Sequence, residues 1–120
     1  IEWMFIDAFK SPKTTRRCVI QFFPHLMEGS ELLHQDWGFP HEIVVSVWIA
    51  MYRLREYFKP LYDLNSSSGV VFQTVKKIPL SVCEQSVTFS NVTKKVRNKA
   101  ITYAETMFHR AIPGIRNLYE

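Results

Sequence analysis

The first thirty-seven residues constrain what this chain can fold into more than any other stretch. A short apolar run, Trp3-Met4-Phe5-Ile6, stops at Asp7, and a second run, Leu32-Leu33-His34-Gln35, stops at Asp36. Between them Val19, Phe22, Phe23 and Leu26 recur at helical spacing, with Ser11-Pro12 ahead of them and Glu28-Gly29 behind. Proline suits the first turn of a helix and glycine the left-handed position that closes one. Pro24 should cut or kink the helix, because proline removes a backbone donor. The pattern predicts a strand-helix-strand unit in which each strand delivers a carboxylate at its carboxyl end. Ligands of open parallel sheets bind at those ends. The uninterrupted run at residues 3–6 reads as a strand buried on both faces.

Downstream, Ile43, Val44, Val47, Met51, Leu54 and Phe58 make residues 40–58 the clearest helix, opened by Pro40 and ended by Lys59-Pro60. A polar turn, Asn65-Ser66-Ser67-Ser68-Gly69, leads into a β-branched strand at residues 70–75, and Ile78-Pro79 ends it. Ser90 or Asn91 can cap a long helix whose buried stripe is Val92, Val96, Ala100, Tyr103, Ala104, Met107 and Phe108. Lys94, Lys95, Arg97, Lys99 and Arg110 decorate its other side. The expected architecture is α/β, with three to four strands flanked by helices. Residues 1–79 form the sheet-bearing part, and residues 80–120 a helical extension packed on the same domain.

A chain of 120 residues is about one domain, and 47% hydrophobic with 14% aromatic residues is a folded composition. The net charge of +4 is concentrated in the late helix, whose basic side, residues 93–110, could lie on phosphate or an anionic surface but reads better as a solvated face opposite an ordinary core stripe, so nucleic acid is not expected as a partner. Cys18 and Cys83 are the only cysteines and show no zinc spacing. They fit a reducing, cytoplasmic setting, although one bridge between them remains open. No apolar run approaches the roughly 20 residues that span a bilayer, so no membrane partner is expected. The chain opens at Ile1 with a strand already under way, and it reads as a piece of a longer protein.

The order strand-Asp, helix, Leu-x-x-Gly, strand-Asp, long helix, apolar strand carries a family likeness. Its residues are Phe5-Ile6-Asp7-Ala8, then Leu26-Met27-Glu28-Gly29, then His34-Gln35-Asp36-Trp37. Over residues 3–79 the chain resembles the second, acceptor-side half of a class I S-adenosylmethionine-dependent methyltransferase, closest to the catechol-type and macrocin-type O-methyltransferases. The resemblance implies a Rossmann-like sheet and methyl transfer from S-adenosylmethionine to an oxygen of a small-molecule acceptor. It also implies a divalent cation such as Mg2+, held by Asp7 and Asp36, with Lys10 as the base. Trp37 stands where those families carry an Asn, so one oxygen ligand of their pattern is absent. The glycine-rich cofactor loop belongs to the first half of that fold, and the four glycines here are not spaced to form one. The cofactor-binding half is therefore expected to lie outside this chain.

Each candidate also has a plainer use. Asp7 and Asp36 could face one another across about 4.8 Å if their strands pair, which calls for a bridging cation or a shared proton. Either could instead cap the next turn. Lys10 is either a base with a lowered pKa or a solvated loop lysine. His34, Trp37 and Phe39 could line an acceptor pocket for a flat substrate, or pack in the core. The alternative to an enzyme is a non-catalytic module that keeps the sheet and docks a partner through its basic carboxyl-terminal helix, its open sheet edge covered by a homo-oligomer or by the missing half.

Overall fold

A computed structural model describes residues 2–6, 11–35, 37, 44–63 and 69–107. The elements are β1 (Trp3–Ile6), α1 (Pro12–Phe22), a 3-10 turn (Phe23–His25), β2 (Glu31–His34), α2 (Val45–Arg53), β3 (Phe58–Asp63), β4 (Val70–Thr74), α3 (Leu80–Ser86) and α4 (Lys94–Met107). The four strands form one mixed sheet in the order β1-β2-β4-β3. β1 and β2 are parallel, with Met4 opposite Leu32 and Ile6 opposite His34. β4 runs antiparallel to both β2 and β3, so the last strand inserts between the second and the third. The expected α/β unit is present, and its sheet is mixed.

Local chemistry accounts for the first crossover. Ser11 is extended and its Oγ accepts the Thr14 N–H at 3.1 Å, with Pro12 in the first turn behind it. This satisfies one of the free donors at the helix start. Pro24 ends the α-helix as expected, and the chain tightens into the 3-10 turn. Gly29 has φ of +89°, but in a turn closed by Ser30 N–H to the Met27 carbonyl at 2.9 Å, well past the end of α1. Its left-handed backbone launches β2 and does not cap a helix. From the same turn the Gly29 N–H donates to the Thr74 carbonyl at 2.7 Å, and the Thr74 N–H to Ser30 at 2.8 Å. These bonds tie the start of β2 to the end of β4.

The expected helix at residues 40–58 ends early, and its expected start at Pro40 lies outside the described residues. α2 ends at Arg53, Leu54 and Tyr57 turn the chain, and Phe58 opens β3. Leu54 and Phe58 satisfy a helical period, yet both are buried here in a turn and a strand. α3 occupies residues to which the sequence pattern assigned no element. At α4 the cap is Thr93, whose Oγ1 accepts the Val96 N–H at 3.2 Å, instead of Ser90 or Asn91. The buried stripe of α4 gains Ile101 beside Ala100, Ala104 and Met107.

One core fills the space between one face of the sheet and the helices. Ile6, Leu32, Val70 and Phe72 supply the sheet side, and Val19, Phe23, Trp48, Met51, Cys83 and Ala104 lie among the opposing residues. The helices pack against one another, α2 touching α1, α3 and α4, so the four share that layer. A buried hydrogen bond of 2.9 Å between Thr15 Oγ1 and Ser46 Oγ joins α1 to α2. The other face of the sheet carries Trp3, Phe5, Leu33 and Val71, and exposure on it is greatest at β1, whereas Val71 in the middle of the sheet is buried. This corrects the expectation for β1. Ile6 is buried, but Trp3 is 57% and Phe5 44% exposed, because β1 is the edge strand of the described sheet and they project from the face opposite Ile6. Phe22, expected in the core, is 42% exposed at the end of α1.

Candidate functional site

The parallel pairing of β1 and β2 fixes the place where a site can form. Both strands finish level with one another, Ile6 opposite His34, and the Gln35 N–H extends the ladder by donating to the Ile6 carbonyl at 3.0 Å. Asp7 and Lys10 follow the end of β1 in sequence, and Asp36 and Phe39 follow the end of β2. All four lie outside the described residues. The strands that lead into the two carboxylates are therefore hydrogen-bonded neighbours, as their pairing across a narrow gap requires.

His34 and Trp37, the described members of the expected acceptor pocket, are both buried at the helical side of these strand ends. The His34 ring lies 5.3 Å from Trp37 and meets Phe72 edge-on at 5.7 Å. Trp37 packs on Phe72 at 5.1 Å and on Trp48 at 6.5 Å. The indole N–H groups are also engaged: Trp48 Nε1 donates to the Trp37 carbonyl at 2.8 Å, and Trp37 Nε1 to the Ala104 carbonyl at 3.3 Å. Trp37 thus ties the segment after β2 to α2 and α4. Burial lowers the His34 pKa to about 3, so the imidazole is neutral at physiological pH. A neutral imidazole within an aromatic cluster shapes the floor beneath the strand ends and carries no charge to a substrate.

Among the described residues no glycine turn stands at the carboxyl ends of the parallel strands. Gly29 is the only positive-φ glycine among the described residues, and it sits at the amino end of β2, away from the carboxyl ends. No group of three His, Cys, Asp or Glu side chains among the described residues could hold a metal ion. Cys18 and Cys83 are free thiols, both with pKa raised by burial, Cys83 to about 11. No helix among the described residues is long and apolar enough to cross a membrane.

Two features escaped the sequence pattern. Arg53 Nη1 donates to the carbonyls of Thr88 at 2.6 Å, Gln85 at 3.3 Å and Ser86 at 3.4 Å, while Nη2 donates to Asn91 Oδ1 at 3.2 Å. One guanidinium thereby caps the carboxyl end of α3 and holds the connection toward α4. The second is a groove between α2 and α4, lined by lysines and tyrosines. Lysines at that spacing were legible, but their convergence with Tyr52 depends on how the two helices cross. Comparison with protein-family models, curated proteins and solved structures returns no match.

Proposed function

We propose that this chain is the acceptor-side half of a class I S-adenosylmethionine-dependent methyltransferase domain, acting on an oxygen of a small molecule. The observation that carries the proposal is the sheet. A parallel β1-α1-β2 crossover is followed by a final strand, β4, that inserts antiparallel between β2 and β3. A Rossmann dinucleotide sheet would continue with parallel strands. The resemblance puts β1 and β2 in the places of that family's fourth and fifth strands, each followed in sequence by an Asp, with the reversed β4 beside the second of them. In this scheme Asp7 and Asp36 hold the acceptor or a divalent cation, and Lys10 takes the proton of the acceptor hydroxyl. The cofactor half is supplied from outside these residues and covers the free edge and exposed face of β1.

Thermal unfolding of the chain with and without Mg2+ or Mn2+ tests the carboxylate pair. The cation should raise the Tm of the wild-type chain and leave Asp7→Asn/Asp36→Asn unmoved. No shift in the wild type, or an equal shift in both, rejects the assignment. Calorimetry with S-adenosylmethionine should show no tight binding to this chain alone; tight binding would overturn the claim that the cofactor half lies elsewhere.

A second reading, a non-catalytic interaction module, is favoured by one observation. The β1 edge is apolar and exposes Trp3 and Phe5, stacked on each other at 6.2 Å with 10° between their planes. Such an edge is a template for another chain.

A further inference from the structure

The groove beside α4, bounded on the α2 side by Tyr52, is a shallow, open depression of about 700 Å³. Lys94, Lys95 and Lys99 bring three ammonium groups to it. Asn98, Thr102 and Thr106 add amide and hydroxyl donors along the same side of α4, and Tyr52 and Tyr103 close the α2 side. Every one of these side chains is of a type that contacts nucleic-acid backbone. No carboxylate is among the described residues that line the groove, and the Lys76–Glu56 ion pair lies elsewhere.

The aromatic wall of the groove is held in place. The Arg55 guanidinium sits 4.3 Å from the centre of the Tyr52 ring, and its Nη1 donates to the Tyr52 carbonyl at 2.9 Å. Tyr52 in turn meets Tyr103 edge-on at 6.0 Å, so the α2 and α4 walls are braced against each other. From Lys94 to Thr106 the donors run for about 18 Å along the helix axis. That length suits successive anionic groups on one strand better than a single small anion. A bilayer surface is disfavoured because the large exposed apolar side chains among the described residues, Trp3, Phe5, Phe22, Met27, Leu61 and Leu80, all lie outside its lining.

We infer that the α2–α4 groove binds the sugar-phosphate backbone of a single-stranded nucleic acid, without sequence preference. This reverses the expectation that the basic side of α4 is only a solvated face, and it is independent of the methyltransferase proposal. The probe is a fluorescein-labelled oligothymidylate of about 15 nucleotides, followed by anisotropy with the full 120-residue chain. Affinity should fall with salt at a log–log slope near ~−2, the value for three neutralised phosphates on a single strand. Lys94→Glu/Lys99→Glu should weaken binding by at least about tenfold. Lys13→Glu/Lys77→Glu, two exposed lysines outside the groove, should leave binding nearly unchanged. Unfolding curves confirm that both variants fold, and Lys94→Gln/Lys99→Gln gives the same comparison without added repulsion. Equal losses from the two pairs would reduce the effect to net charge and overturn the inference. So would tighter binding to polyglutamate or to phosphatidylserine vesicles at equal anionic charge, or no binding at low salt.

Discussion

At pH 6.5 an ordinary solvated histidine is half protonated. His34, enclosed by Trp37 and Phe72, resists protonation until pH falls to about 3. The sign of the consequence follows from which state binds the proton. Between pH 6.5 and about 3 the unfolded chain takes it up and the folded chain does not, so this contribution to stability is complete above 6.5 and erodes on acidification. The slope is about 1.4 kcal/mol per pH unit inside that window. Denaturant unfolding at pH 7, 5 and 4 should therefore show the wild type losing stability relative to His34→Phe as pH falls. Parallel pH profiles for the two proteins would show that residue 34 is not buried as a neutral ring. Trp37 makes a related point. As the residue after Asp36 its aromatic type was readable as pocket or core, and its two-way link between Trp48 and Ala104 is visible only in the folded chain.

Among the elements, the helices and strands with strong local signals were legible, and the misses have definite causes. α1 begins where Ser11-Pro12 said and ends where Pro24 required. The start of β3 was absorbed into an apparent helix because Leu54 and Phe58 continue the period of Val47 and Met51, and Lys59-Pro60 behind it read as a helix end instead of an edge strand. A buried turn followed by a buried strand residue repeats at the same spacing by chance. Gly29 was recognised as a left-handed position, but its place is the turn that feeds β2. A Cβ there would meet nothing within 4 Å, so a substitution is opposed by backbone conformation alone. Gly29→Ala should cost about 1 kcal/mol, with Gly29→Asn costing less because asparagine tolerates φ above zero. The urea midpoint measures both, and a midpoint unchanged by alanine would contradict the strained turn.

At the scale of the whole molecule the two sheet edges differ. β3 carries Lys59 and Pro60 and an irregularity between Pro60 and Tyr62, features that blunt an edge against pairing. β1 has none of these, and its Trp3 and Phe5 stand on the exposed face. An unguarded apolar edge of this kind should drive concentration-dependent self-association of the isolated chain. Sedimentation of the wild type should give a mass that rises above 14.1 kDa with concentration, whereas Trp3→Lys/Phe5→Lys should stay monomeric. A wild type that remains monomeric at high concentration would argue that the edge is inert on its own.

What the sequence by itself determined was local: an α/β chain, a strand-helix-strand unit opening it, and two carboxylates placed just beyond two short strands. Proline, glycine, capping hydroxyls and apolar period act over a few residues, so they are readable in order along the chain. Tertiary structure alone decided that β4 enters the sheet between β2 and β3, that β1 is an edge with one exposed face, and that His34 is a neutral core ring. It also brought the lysines of α4 against Tyr52 of α2. Each of these depends on contacts between residues far apart in sequence, where burial, strand pairing and helix crossing set the outcome and local pattern does not.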